Sequence, residues 1–105
     1  MAYPSKYTSA QVEILGVPVT PAKQLVAGSA SSNTALTTTV QRISMRASGA
    51  DIRFSIGTGT QTANGNTSPF IANGERLDFA VPLGANIAVI RDGTVNGTLE
   101  LTELI

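Results

Sequence analysis

The sequence predicts an all-β protein, a β-sandwich or jelly roll with an extended N-terminal arm and almost no helix. Three observations predict it. From Val40 onward apolar residues recur with a period of two, the alternation of a strand with one buried face. Turn residues break that alternation about every eight to twelve residues, the spacing of a sandwich or small barrel. No segment holds a helical period over about ten residues.

In chain order, residues 1–39 read as an extended N-terminal arm and polar connector, and residues 40–105 as the sandwich domain. Residues 1–26 carry Pro4, Pro18 and Pro21, with Val12, Ile14, Val17 and Val19 fitting neither a sustained helical nor a sustained strand period. Extended backbone suits them. Residues 27–39 are Gly, Ser, Ala, Asn and Thr broken only by Leu36, the composition of a loop or connector. Two uses fit this segment: an arm laid on a neighbouring molecule, or an edge strand plus a long surface loop of the same domain.

Next, Ile43, Met45 and Ala47 share one face of a strand whose other face carries Arg42, Ser44 and Arg46. After the turn Ser48-Gly49-Ala50, Ile52, Phe54 and Ile56 face one way and Asp51, Arg53 and Ser55 the other. The two runs are expected to form a hairpin. Residues 57–68 are a polar excursion with no apolar residue larger than Ala63, and are expected in solvent or against a partner. Pro69-Phe70-Ile71 returns to the core, Asn73-Gly74 turns, and Leu77, Phe79 and Val81 form the next inward row. Residues 82–86 turn into the strand Ile87 to Arg91. Asp92-Gly93 and Asn96-Gly97 are dipeptides favoured where φ is positive, as tight hairpins and bulges require. Leu99 and Leu101 then point inward, with Thr98, Glu100 and Thr102 outward.

A chain of 105 residues accommodates one domain, which must commit most of its length to a single core. Hydrophobic residues make up 42% and charged residues only 13%, against a usual charged share of about 25%. Seven basic and seven acidic residues balance to a formal charge of zero, so there is no long-range field to collect nucleic acid or anionic membrane. Near-zero charge also weakens colloidal repulsion, which favours being held in an assembly. There are no cysteines, which removes disulfides, thiolate nucleophiles and thiolate zinc sites together. No run approaches the roughly 20 apolar residues of a membrane helix. The early apolar stretch from Val12 to Val19 contains Glu13, Gly16 and Pro18 and does not read as a signal peptide. The expectation is synthesis in a cytoplasm without export by its own signal. The triplets Asn66-Thr67-Ser68 and Asn96-Gly97-Thr98 read as chance in a chain rich in Asn and Thr.

Little is equipped for chemistry. Without His or Cys, the usual general base near neutral pH and the soft metal ligands are missing. The carboxylates Glu13, Asp51, Glu75, Asp78, Asp92, Glu100 and Glu103 fall mostly on outward faces or in turns, where solvent keeps a carboxylate ordinary. Asp92-Gly93 lacks the dense acidic spacing of a calcium loop. Gly57-Thr58-Gly59-Thr60 follows a strand as phosphate loops do, but no helix follows it and no Lys sits in it. The expectation is no enzyme, no metal and no cofactor. Arg42, Arg46 and Arg53 are expected to cluster on the polar face of the hairpin. They either pair across strands with Asp51, Asp78 or Glu100, or dock on an acidic partner through bidentate guanidinium contacts.

Two stretches carry a resemblance. Residues 84–93, Gly-Ala-Asn-Ile-Ala-Val-Ile-Arg-Asp-Gly, run through Asn96-Gly97-Thr98-Leu99-Glu100-Leu101-Thr102-Glu103-Leu104. Upstream stand Ile52-Arg53-Phe54-Ser55-Ile56-Gly57, a Thr-rich loop and Ser68-Pro69-Phe70-Ile71. Together they resemble small virion proteins of tailed bacteriophages, in which a glycine-led turn, an apolar strand, an Arg-Asp-Gly turn and a final strand close the chain. The likeness covers about residues 40–105 and is a pattern of strands and turns.

It implies a jelly-roll or sandwich subunit on the capsid surface of a virion, made in the bacterial host cytoplasm. Its role would be a capsid decoration or cement protein. The partners would be the major capsid protein and copies of itself, as a homo-oligomer, a trimer or dimer. An arm and exposed strand edges suit such bridging. Tyr3, Tyr7, Val12, Ile14 and Leu15 are the expected partner contacts, with Arg42, Arg46 and Arg53 as a second group. A tail, baseplate or fibre-base adaptor shares these features. A carbohydrate-binding β-sandwich module is a second alternative from a different class, although the chain has no Trp and its three Phe fall on expected core faces.

Overall fold

The computed structural model describes residues 16–105. It contains eight strands, β1 (Lys23–Ala27), β2 (Ser32–Ala35), β3 (Arg42–Ser48), β4 (Ile52–Thr58), β5 (Phe70–Ile71), β6 (Arg76–Ala80), β7 (Ala85–Arg91) and β8 (Gly97–Leu104). There is no helix among the described residues. The strands form two four-stranded antiparallel sheets, ordered β1-β8-β3-β6 and β2-β7-β4-β5. This is the strand order of an eight-stranded jelly roll. Among the described connections, only β4 to β5 stays within one sheet.

The period of two sets the core. Ile43, Met45 and Ala47 of β3, Ile52 and Phe54 of β4, Ile87 and Val89 of β7, and Leu99 and Leu101 of β8 meet between the sheets. Burying each large apolar side chain is worth about 1.5–3 kcal/mol, and this stabilisation stands in for absent cross-links. Leu25 and Ala27 of β1 join the same cluster.

Strand pairing differs from the sequence expectation. β3 and β4 lie in opposite sheets, so the expected hairpin does not form. The turn between them, with Gly49 at φ 91°, carries the chain across the sandwich. Alternation fixes which face of a strand is buried, but it does not choose the strand's partner. The connection from β7 to β8 also crosses between sheets, so no tight hairpin is required there. Neither Gly93 nor Gly97 has positive φ. Gly97 is needed for closeness instead, because a Cβ there would lie 3.2 Å from Ala50 Cβ and 3.3 Å from the Ala50 backbone N and O.

The segment read as arm and connector is built into the sheets from residue 23 on. β1 pairs with β8 from Lys23↔Leu101 to Ala27↔Gly97, and β2 pairs with β7. Each is an edge strand. Ahead of β1, the Val17 N–H donates to the Ile105 carbonyl at 2.7 Å, and the Val19 N–H to the Glu103 carbonyl at 2.7 Å. Residues 17–27 thus run along one side of β8 in the same chain. Residues 1–15 lie outside the described residues.

Two of the three Phe are not core residues. Phe79 shares its face with Ile43 and its ring centroid lies 5.7 Å from that of Phe54, yet it is 36% exposed. β6 is an edge strand, and the opposing edge strand β5 has only two residues. Phe70 is 42% exposed, on the outer face beside Arg53.

The polar excursion packs on its own subunit. The Gln61 N–H donates to Asn33 Oδ1 and the Ala63 N–H to Ser31 Oγ, both at 2.8 Å. Ser55 Oγ bonds Gln61 Oε1 at 2.8 Å. These bonds draw residues 57–63 across the outer face of the β2-β7-β4-β5 sheet, where Ala63 and the outward Ala88 become buried.

Candidate interaction surface

With the outer face of one sheet crossed by its own loop, the outer face of the β1-β8-β3-β6 sheet is the broad strand surface left open among the described residues. Register arranges its side chains in rows. One row is Gln24, Glu100, Arg46 and Arg76, the next Thr102, Ser44 and Asp78, and the next Leu104, Arg42 and Ala80. Arg46 Nη1 lies 3.8 Å from Glu100 Oε1, with each side chain about half exposed. An exposed pair of this kind contributes at most about 1 kcal/mol. Arg76 Nη1 donates to Ser44 Oγ at 3.2 Å. The face carries three guanidinium groups against the carboxylates of Asp78 and Glu100, the remaining positions being mostly small or hydroxylated.

Arg42 and Arg46 stand on this face, as the sequence expected, and the Arg46–Glu100 cross-strand pair forms. Arg53 does not join them. β3 and β4 belong to opposite sheets, so their outward faces look away from each other. Arg53 is committed within the subunit: Nε donates to Asp92 Oδ1 at 2.7 Å and Nη1 to the Ser68 carbonyl at 2.8 Å. Its guanidinium also sits 5.3 Å from the centroid of the Phe70 ring. Tyr3, Tyr7, Val12, Ile14 and Leu15 lie outside the described residues.

The two ends of the sandwich differ. At one end, the β3–β4, β5–β6 and β7–β8 connections enclose an open cleft of about 330 Å3 lined by Gly49, Ala50, Asp51, Asn73, Asp92 and Val95 among others. Three of its polar side chains are already engaged. Asp51 Oδ1 accepts from the Asn73 N–H at 2.8 Å, Asn73 Oδ1 accepts from the Gly49 N–H at 3.0 Å, and Asp92 holds Arg53. Among the described residues no group of His, Cys, Asp and Glu has a metal-binding arrangement. At the other end, Leu104 and Ala80 flank Arg42. There Val17, Leu83 and Ile105 are exposed apolar side chains, beside the point where Gly16 joins residues 1–15.

Glu103 is a functional-looking group whose position the alternation implies: it shares parity with the inward Leu99 and Leu101. It is 2% exposed. Its carboxylate accepts the Thr37 N–H at 2.7 Å and the Thr37 hydroxyl at 2.9 Å, and lies 3.5 Å from Lys23 Nζ. Each partner comes from a different segment, which makes Glu103 a stitch joining β1 and the β2–β3 connection to β8.

No protein-family model matches this chain, and neither a curated protein nor a solved structure matches it.

Proposed function

We propose that this chain is a structural virion protein of a tailed phage, a decoration or cement subunit that binds the outer surface of the head and bridges neighbouring major capsid proteins. The observation that supports it most is the asymmetry of the two sheets. Among the described residues, one outer face is crossed by the chain's own loop, and the other is an open platform bearing three Arg against two carboxylates, beside an apolar end. Arg is favoured in protein interfaces because its planar fork binds carboxylates bidentately and sheds water readily. The jelly roll serves many functions and carries none by itself. The resemblance of residues 40–105 to small phage virion proteins gives the reading its direction.

In this reading the platform residues Arg42 and Arg46 dock on the shell. The arm residues Tyr3, Tyr7, Val12, Ile14 and Leu15 reach a neighbour. Arg53 holds its own subunit together and is no longer assigned a docking role. The experiment is occupancy on heads that lack the subunit, comparing the full chain with a form starting at Gly16. The cut is placed there because residues 17–19 bond to β8. Reduced occupancy of the shortened form supports the arm's role; equal occupancy rejects it.

A further inference from the structure

The sandwich stays open along one side, where β6 ends one sheet and the two-residue β5 ends the other. Backbone bonds fix which groups of β6 remain free. The Ala47 N–H donates to the Glu75 carbonyl at 3.2 Å, and the Val81 N–H to the Gln41 carbonyl at 2.8 Å. Bonded and non-bonded pairs alternate along an antiparallel ladder, so Leu77 and Phe79 also turn their backbone groups to β3. Arg76, Asp78 and Ala80 turn theirs outward, and among the described residues no strand lies on that side. Beneath this edge Leu77 and Ile56 are only partly buried and Phe79 is 36% exposed. A free backbone edge above an apolar row is a receptor for one more strand.

Charge identifies the strand that fits. Arg76 and Asp78 stand two positions apart on the outer face. Asp78 has no hydrogen-bond or ion partner among the described residues, and Arg76 reaches only the neutral Ser44 hydroxyl. We propose that β6 pairs antiparallel with β6 of a second copy of this chain, about a two-fold axis through Leu77. Arg76 then lies directly across from Asp78 of the second copy, and Asp78 across from its Arg76, so two opposite-charge pairs form on the outer face. The backbone groups of both positions point outward, so each pair also exchanges two N–H to C=O bonds. On the inner face Leu77 meets Leu77 of the second copy, which is also diagonal to Phe79 and within reach of its ring. Glu75 of the second copy falls across from Phe79, but the Glu75 carboxylate is drawn back to the Ala72 N–H at 2.9 Å.

The neighbouring registers are disfavoured by the same charges. Sliding the two strands by two residues one way sets Asp78 against Asp78, and the other way Arg76 against Arg76; like charges directly opposite are destabilising. The register through Leu77 also completes a charge row on the platform. Glu100, Arg46 and Arg76 stand side by side in that row, and Asp78 of the second copy closes it with a second carboxylate. The pairing joins two four-stranded sheets into one, with the Arg42 and Arg46 of both copies on the same face. It does not depend on what that face docks on.

The test needs only the purified full chain, so its failure is separate from failure of the virion reading. Arg76 and Asp78 are both exposed, so changing them leaves the core untouched. Sedimentation velocity from about 1 μM to about 1 mM, a span suited to a short interface, is expected to show a monomer–dimer equilibrium for the unaltered chain. Arg76→Asp alone and Asp78→Arg alone each set like charges across the axis and are expected to weaken the dimer about tenfold or more. Mixing these two variants restores both opposite-charge pairs and is expected to give a one-to-one complex. Carrying both changes in one chain is expected to restore the dimer. Leu77→Cys, in a chain with no other cysteine, is expected to cross-link two copies on mild oxidation, and the more exposed Ala80→Cys is not. A monomeric unaltered chain, a dimer that neither single substitution weakens, no complex in the mixture, or cross-linking at Ala80→Cys as readily as at Leu77→Cys would overturn the proposal.

Discussion

Arg53 donates from Nε to Asp92 Oδ1 at 2.7 Å, tying the start of β4 to the connection between β7 and β8. The same guanidinium reaches the Ser68 carbonyl at 2.8 Å and lies over Phe70, so one side chain gathers three segments at one end of the sandwich. Both partners are less than a third exposed, and charge-assisted bonds in such a setting are stronger than neutral ones. Arg53→Ala is expected to lower unfolding stability by about 1–3 kcal/mol. Arg53→Lys should recover only part, since its single nitrogen lacks the planar fork by which Nε and Nη1 reach Asp92 and the Ser68 carbonyl separately. Urea denaturation checks this; a loss below about 0.5 kcal/mol for Arg53→Ala, the range of ordinary surface changes, would contradict it.

Glu103 offers a second test. Its carboxylate satisfies the Thr37 N–H and hydroxyl at a nearly solvent-free position. Glu103→Ala leaves those donors without an acceptor and Lys23 without its ion partner, at a cost of about 2–4 kcal/mol. Glu103→Gln keeps an acceptor oxygen and should cost less. Equal losses for the two would show that the charged carboxylate with both its acceptor oxygens, not the side-chain volume that Gln retains, holds this position.

Gly97 tests close approach without any special dihedral. Gly97→Ala sets a new methyl against the Cβ and backbone of Ala50, and overpacking of this kind costs about 1–3 kcal/mol. Ala50→Gly in the same chain removes the Cβ contact but not the backbone contacts, so partial rescue is the expected outcome in thermal unfolding. Full stability in Gly97→Ala alone would show that the loop at Ala50 yields freely.

Phe54 and Phe79 touch but differ in cover. Phe54→Ala removes a buried core ring and should cost about 3–5 kcal/mol. Phe79→Ala removes an edge ring and should cost clearly less in the isolated subunit, about 1–2 kcal/mol including the ring contact. Denaturation at low concentration, where copies are apart, makes the comparison. Equal costs would mean that the open side of the sandwich is closed in the lone subunit.

The residues themselves explain what the sequence disclosed and what it hid. Ile43, Met45, Ala47, Ile52, Phe54, Leu99 and Leu101 announce the core because period-two burial is written in single residues. The all-β class and both buried faces follow. Pairing was not legible, since Ser48-Gly49-Ala50 looks alike whether it closes a hairpin or carries the chain between sheets. β2 was hidden because an edge strand reading Ser-Asn-Thr-Ala buries almost nothing. β1 was hidden because only Leu25 and Ala27 mark its inner face. Glu103 could have been placed by parity with Leu101. Arg53 could not, as its separation from Arg42 and Arg46 depends on the sheet to which β4 belongs.

The most direct measurement is co-sedimentation of the purified chain with tailed-phage heads stripped of it, run beside purified tails. The account predicts saturable binding to heads, in copy numbers on the order of the shell's own subunits, and weaker binding when Arg42 and Arg46 are replaced together by Glu. Binding to tails alone would move the protein to a tail adaptor. A lone monomer that sediments with neither particle would contradict the account outright.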